Sequence, residues 1–135
     1  MTKSIQQIEG IGPAFSEKLK DAGIYTTEKL LEMGGSKSGR KALAEKTSIS
    51  EKNILSWVNM CDLFRISGVA GQFAELLEGS GVDTVKELRN RNAENLAAKM
   101  AEVNAEKHLC KVSPNVTMVA KWIEQAKTLD PMVTH

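Results

Sequence analysis

Two short glycine-containing segments hold the residues of this chain whose types and spacing could do chemistry: Gly10-Ile11-Gly12 and Gly68-Val69-Ala70-Gly71. Glycine reaches positive φ without a Cβ clash, and it lets another molecule approach the backbone closely. Each segment precedes apolar residues at helical spacing, so its amides and those of the next helix would point outward together. Such amides, with the helix dipole, can bind a phosphate group without reading a base. The alternative is that each segment is only a packing corner between helices.

The two segments belong to a repeat in which residues 5–19 correspond to residues 63–77, an offset of 58 positions. Both copies place apolar residues before a glycine, then an apolar residue, a glycine or alanine, and a helix with an apolar face. The register returns at an offset of 65, where Trp57 corresponds to Trp122. This is the order of a helix-hairpin-helix, and its recurrence predicts a tandem architecture. Matching pairs at the first offset include Ile8 with Ile66, Gly10 with Gly68, Phe15 with Phe73, Leu19 with Leu77, and Gly23 with Gly81.

Helix signals occur along the whole chain and predict an all-α fold. No stretch shows the sustained period-two alternation that is typical of strands. Gly23 and Gly81 stand where left-handed C-caps are expected. The expected N-caps are Thr26 or Thr27, Asp83 or Thr84, Ser48 in a capping-box pattern with Glu51, and Ser113 ahead of Pro114.

The junction between the copies predicts a shared helix. No Pro or Gly interrupts residues 40–67, so we expect the helix that begins near Ser50 to continue through Leu63–Ile66. The last helix of the first copy would then be the first helix of the second. The prediction is one fused, pseudo-two-fold domain over 1–135, with repeats at 4–62 and 63–129 and a flexible tail at 130–135.

Composition limits the classes of protein that the chain can belong to. A chain of 135 residues with 41% hydrophobic residues is long enough for one domain with a real core. It has no apolar run long enough to span a membrane, and the segment after Met1 lacks an apolar signal region, so we expect a cytoplasmic protein. Its two cysteines, Cys61 and Cys110, are too few for a disulfide scaffold. His108 and Cys110 are the only suggestion of metal ligands, and we expect neither a metal nor a cofactor.

Charge does not favour a dedicated nucleic-acid domain, because the formal net charge is only +1. Any binding must use local geometry and small clusters. One basic cluster is Lys37, Arg40, Lys41 and Lys46, a second is Lys86, Arg89 and Arg91, and Lys18 follows the first glycine segment. The alternative is that these clusters are ordinary solvated faces.

Several other features favour structure over chemistry. Trp57 and Trp122 occupy matching places on apolar stripes and are expected in the core, although they could in principle stack on bases. The segment Gly34–Lys41 superficially resembles a nucleotide-binding loop, but Arg40-Lys41 follows its last glycine where Lys-Ser or Lys-Thr is needed, so we expect a flexible turn. No Ser-His-Asp or Cys-His arrangement is plausible, and the chain is not expected to be an enzyme.

The chain resembles a widespread bacterial family of tandem helix-hairpin-helix proteins that is catalogued as a domain of unknown function. The resemblance covers roughly residues 4–129 and rests on four runs: Ile8-Glu-Gly-Ile-Gly-Pro, Lys20-Asp-Ala-Gly-Ile, the run from Trp57 to Val69, and the run from Leu76 to Asn92. It implies an all-α tandem fold and, by analogy with hairpins in polymerases, ligases and topoisomerases, non-specific DNA binding. Ala70 departs from the fuller Gly-apolar-Gly form.

The leading hypothesis from the sequence is a small accessory protein that binds the DNA backbone without sequence preference. The alternative is a protein-interaction or assembly module whose hairpins are structural. The candidate nucleic-acid-binding residues are Gly10, Ile11, Gly12, Lys18, Arg40, Lys41, Gly68, Val69, Ala70 and Gly71. Because Ala70 replaces the second glycine, the second turn is either reshaped or purely structural.

Overall fold

The structure is a computed structural model that describes residues 3–8, 10–69 and 71–134. These residues form eight α-helices and one short 3-10 helix at Ile5–Gln7, with no β-strand, which confirms the predicted all-α class. No helix within the described ranges is long and apolar enough to cross a bilayer. The helices are α1 (Pro13–Asp21), α2 (Thr27–Gly34), α3 (Lys37–Thr47), α4 (Glu51–Leu63), α5 (Gly71–Gly79), α6 (Val85–Leu88), α7 (Ala93–Lys107) and α8 (Val116–Lys127).

The chain divides into two compact units. Unit 1 comprises Met1–Asp62 and Met132–His135, and unit 2 comprises Leu63–Pro131. Each unit has its own apolar interior, because each contains amphipathic helices that must bury one face. Fully buried side chains in unit 1 include Ile5, Leu19, Ile24, Leu30 and Ile54, and those in unit 2 include Leu63, Leu76, Leu77, Leu88 and Met100.

Helices α1 and α5 end in the same way. Gly23 follows α1 with a φ of +85°, and Gly81 follows α5 with a φ of +92°. In unit 1, Ile24 donates its N–H to the Leu19 carbonyl at 2.9 Å. In unit 2, Val82 donates to Leu77, also at 2.9 Å. These are Schellman ends, and they confirm the two predicted C-caps.

The expected N-caps are confirmed in part. Thr26 accepts a hydrogen bond from the Lys29 amide at 3.1 Å, and Thr84 accepts one from the Glu87 amide at 3.3 Å. Thr26 is therefore the cap of α2, and Thr84 is the cap of α6. The alternatives Thr27 and Asp83 are not caps.

Two other predicted caps are wrong. Ser48 has a positive φ of 61° and ends α3, so the cap of α4 is Ser50, whose hydroxyl accepts from the Asn53 amide at 3.1 Å. For α8, the cap is Asn115, which accepts from the Met118 amide at 2.9 Å. Ser113 instead lies within hydrogen-bond distance of the Asn104 side-chain amide, at 3.1 Å.

The predicted continuous helix through Ile66 is also wrong, because α4 ends at Leu63. Ile66 donates its N–H to the Leu63 carbonyl three residues back, at 3.0 Å. This spacing tightens the backbone and ends the α-helix before Gly68, whose φ of +92° no α-helix accommodates.

Residues 34–41 are a helix-to-helix corner and not the expected flexible turn. Helix α2 runs to Gly34, the Ser36 hydroxyl accepts from the Gly39 amide at 3.0 Å, and α3 begins at Lys37. A Cβ on Gly39 would lie 2.2 Å from the Met33 carbonyl oxygen, so glycine permits the close approach of the two helices. We call residues 34–41 the α2–α3 corner.

The segment predicted to be a flexible tail makes defined contacts in unit 1. Val133 is buried, and Thr134 donates its N–H to the Gly35 carbonyl at 2.9 Å. Residue 135 lies outside the described residues.

Candidate functional site

The first glycine segment forms a tight turn between the 3-10 helix and α1. Gly10 has a φ of +91°, and Ile11 donates its N–H to the Ile8 carbonyl at 3.3 Å. A Cβ on Gly10 would make only ordinary contact with Trp57 Nε1, at 3.7 Å. Glycine is therefore required at this position by backbone conformation and not by lack of space. Ile11 points inward and is buried.

Gly12 is the N-cap residue of α1 and faces open space. Its φ of −84° and ψ of 178° are accessible to any residue, and a Cβ there would meet no atom within 4 Å. No side chain caps this end of the helix, and Pro13 occupies the first turn. Gly12 and Ala14 are exposed, and the first amides of a helix have no intrahelical acceptor, so this helix start presents donors with the positive end of the helix dipole behind them.

An aromatic pair supports the turn from within unit 1. The rings of Phe15 on α1 and Trp57 on α4 lie 5.1 Å apart at an angle of 60°. Trp57 is buried, which confirms its predicted place in the core. The pair holds the start of α1 against α4, so the exposed amides have a fixed orientation.

The first two residues of the second glycine segment, Gly68-Val69, have the same local geometry in unit 2. Gly68 has a φ of +92°, and Val69 is buried and donates its N–H to the Ile66 carbonyl at 3.1 Å. The rings of Phe73 and Trp122 lie 5.3 Å apart at 53°, and Trp122 is in the core as predicted.

The start of α5 is only partly described. Gly71 is the first residue of this helix, and Ala70, named as a candidate, lies outside the described residues.

One side chain distinguishes the second turn. The amide of Gln125 on α8 accepts from the Ser67 N–H at 2.9 Å and donates to the Ser67 carbonyl at 3.3 Å. The corresponding position in the first copy is Met60, whose side chain has no amide for such a bond. Sequence reasoning missed this contact, although the replacement of a methionine by a glutamine was its visible signal.

The candidate basic residues fall into two groups. Lys18 in the last turn of α1 and Lys41 on α3 are exposed. Arg40 is buried, and its Nη1 donates to the carbonyls of Gly34 at 3.0 Å and Gly35 at 2.9 Å. Arg40 was predicted to contact nucleic acid, but its guanidinium instead satisfies carbonyls at the α2–α3 corner.

In the second basic cluster, Arg91 also binds the backbone of its own unit. Its Nη2 donates to the carbonyl of Gly81 at 2.8 Å, which supports the end of α5. Lys86 is exposed and Arg89 is half-buried. The cluster thus contains one exposed arginine that binds its own backbone, one half-buried arginine and one exposed lysine.

The two cysteines lie in environments that favour the neutral thiol. Burial, with Asp62 nearby, raises the pKa of the Cys61 thiol far above its usual value, so this sulfur is held as a neutral thiol. Burial also raises the pKa of Cys110, with Glu75 contributing. Both cysteines are free. Within the described part of the chain, no three His, Cys, Asp or Glu side chains are placed to hold a metal ion.

A family model described as a domain of unknown function (DUF4332) matches residues 9–129. The match covers most of the chain, and the chain belongs to this family. No curated protein and no solved structure matches it.

Proposed function

We propose that this protein binds the phosphate backbone of DNA without sequence preference, and that the Gly10–Gly12 turn with the start of α1 is the main contact. In this proposal the two glycine turns are the hairpins of a pseudo-two-fold tandem helix-hairpin-helix. The second turn, Gly68–Gly71, is a weaker or purely structural counterpart.

The recurrence of local geometry at corresponding positions of the two copies supports the tandem proposal. Gly10 and Gly68 have φ values within 1° of each other, +91° and +92°. The turn bonds, the Schellman ends and the Phe–Trp pairs also recur in corresponding places. Because each feature depends on a different set of residues, their joint recurrence favours two copies of one supersecondary unit.

The single observation that carries the DNA proposal is the environment of Gly12. Its conformation does not require glycine, and no neighbouring atom excludes a Cβ. A glycine that folding does not require is explained by an external group that must approach the backbone closely. The uncapped start of α1 offers amide donors for that group, and a phosphate oxygen suits both the donors and the dipole.

The second turn is the weaker candidate because both backbone polar groups of Ser67, the residue before it, are already used. The Ser67 N–H and carbonyl are both bonded to the Gln125 side chain, within unit 2. A ligand would have to displace Gln125 to reach them. In addition, the sequence here has Ala70 where the first turn has Gly12.

Binding by this route is expected to be weak and sensitive to salt. The net charge is +1, and Arg40 and Arg91 are occupied with carbonyls in their own units. Since 17 acidic residues offset the 18 basic ones, few phosphates are expected to be neutralised. If about two or three phosphates are neutralised, raising salt fourfold should lower affinity roughly tenfold to fortyfold.

The alternative proposal is a protein-interaction module, and one surface favours it. A shallow, mostly apolar groove of about 570 Å³ lies on α8, and Val116, which lines it, is 43% exposed. A neutral protein with an exposed apolar groove suits a protein partner as well as a polyanion. The groove is lined by Val116, Thr117, Ala120, Lys121, Glu124 and Gln125.

Fluorescence anisotropy with labelled duplex and single-stranded DNA at low salt tests the DNA proposal. The Gly12→Glu variant should fold normally and lose binding, because a carboxylate would stand where the phosphate is bound. Ala101→Glu is the matched control: it adds the same charge at an exposed position of α7, and it should bind like the wild type. Absence of wild-type binding at high micromolar protein, or equal binding by Gly12→Glu, contradicts the proposal.

A further inference from the structure

The α2–α3 corner contacts a stretch of backbone without regular secondary structure from another part of the chain. This stretch is Met132–Thr134, here called the C-terminal segment. Val133 inserts its side chain and is 7% exposed, whereas Met132 is 40% exposed. The segment is thus held by one buried side chain and by its main chain.

Thr134 makes the main-chain hydrogen bonds between the C-terminal segment and the corner. Thr134 donates its N–H to the Gly35 carbonyl at 2.9 Å, and its own carbonyl accepts a hydrogen bond from Arg40 Nη2. The corner therefore presents one acceptor and one donor to the two main-chain polar groups of a single residue. This is the same principle by which a strand edge binds a peptide. The side chain of Thr134 is exposed and is not selected.

Gly35 allows the segment to come close. A Cβ on Gly35 would lie 2.3 Å from the carbonyl oxygen of Met132 and 2.9 Å from that of Leu31. Any side chain at this position would therefore push the segment away. The glycine makes a backbone-to-backbone contact possible at the corner.

The corner is organised by contacts that do not involve the segment. Arg40 Nη1 donates to the carbonyls of Gly34 and Gly35, so the guanidinium is held in place whether or not Nη2 has an acceptor. The Ser36 cap fixes the start of α3. A receptor that is held in shape without its ligand loses little entropy when the ligand binds.

We propose that the α2–α3 corner is a peptide-binding site, and that in this structure the C-terminal segment is its occupant. The ligand class is an extended peptide with a small apolar residue followed by a residue of any type. The apolar residue takes the place of Val133, and the next residue supplies the N–H and C=O that bond to Gly35 and Arg40. This inference does not depend on DNA binding.

The test uses the full chain and a fluorescein-labelled peptide with the sequence of residues 129–135, Leu-Asp-Pro-Met-Val-Thr-His. In the wild type, the tethered segment competes with the added peptide. In a Val133→Asp variant, the charged side chain expels the segment and leaves the corner open. We expect the peptide to bind this variant at least about tenfold more tightly than the wild type, because tethering gives the segment a high effective concentration.

The controls distinguish specific binding at the corner from non-specific binding of the peptide. Val112→Asp makes the same change at a site that is 76% exposed in unit 2, and it should bind the peptide no better than the wild type. A peptide with aspartate in place of the valine should not bind. A peptide with valine in place of the threonine should bind normally, because that side chain faces solvent.

Failure of the peptide to bind folded Val133→Asp overturns the proposal, as does equal binding to Val112→Asp. If circular dichroism shows that Val133→Asp is unfolded, Thr134→Pro replaces it. Proline removes the N–H that bonds to Gly35 while leaving Val133 unchanged. The same gain in peptide binding is expected with this variant, and its absence contradicts the proposed site.

Discussion

Substitution by alanine should destabilise the protein at Gly10 but not at Gly12. Gly10 has a φ of +91°, a conformation that a residue with a Cβ adopts only with strain. Since the nearest atom to a Cβ there is 3.7 Å away, the cost of Gly10→Ala is conformational alone. We expect a loss of about 1–3 kcal/mol in the free energy of unfolding.

Gly12→Ala should cost little. Its φ of −84° suits alanine, and a Cβ would meet nothing within 4 Å. Alanine is a poorer N-cap than glycine by roughly half a kcal/mol, but it also reduces the entropy of the unfolded chain by about 0.4–1 kcal/mol. These effects oppose each other, so the net change should lie within about 0.5 kcal/mol of zero.

Urea denaturation followed by far-ultraviolet circular dichroism measures both variants under identical conditions. A midpoint for Gly12→Ala close to that of the wild type, with a clearly lower midpoint for Gly10→Ala, supports the reasoning. Equal destabilisation by the two variants would refute it, because Gly12 would then be required by the fold. In that case the exposed position of Gly12 would no longer indicate an external ligand.

Three further predictions concern stability. The pKa of Glu78 is raised by burial and by the nearby carboxylates of Asp83 and Glu75, so its charged form opposes folding; Glu78→Gln should raise the unfolding temperature at pH 7, and the gain should vanish below about pH 4, where the carboxyl is protonated in both states. Ser50→Ala should cost about 1 kcal/mol by loss of the α4 cap, whereas Ser48→Gly, which relieves a positive φ, should stabilise by up to about 1 kcal/mol, both measured by urea denaturation. Trp57→Ala and Trp122→Ala should each cost about 3–5 kcal/mol in the same assay, because both rings are buried against a phenylalanine.

Sequence patterns predicted the features that depend on local physics. Positive φ at Gly23 and Gly81 followed from their place after an amphipathic helix, and the buried tryptophans followed from apolar spacing. The all-α class followed from the absence of alternation. Each of these depends on residues that are close in the chain.

The features that the sequence did not predict are those that depend on contacts between residues distant in the sequence. The sequence suggested that Arg40 is a surface cation. Its guanidinium is buried because it donates to the carbonyls of Gly34, Gly35 and Thr134. The return of Val133 to unit 1 has no local signal at all. The contact between Gln125 and Ser67 likewise joins residues 58 positions apart.

Cap selection failed for a different reason. Ser48 and Ser50 both fit an N-cap, and the choice between them depends on where α3 ends, which is not visible in the residues of α4. Asn115 was preferred over Ser113 because Asn104 holds the preceding loop, with its Oδ1 accepting from the Cys110 amide at 2.8 Å.

The central claim is that exposed amides at the start of α1 bind a phosphate of the DNA backbone. The most direct test is to titrate ¹⁵N-labelled protein with a short DNA duplex at low salt and to monitor the chemical shifts of the backbone amides. We expect the largest shifts at Gly12, Ala14 and Phe15, smaller shifts near Gly68, and the same pattern for unrelated duplex sequences. Shifts confined to other surfaces, or no shifts at saturating DNA, would contradict it.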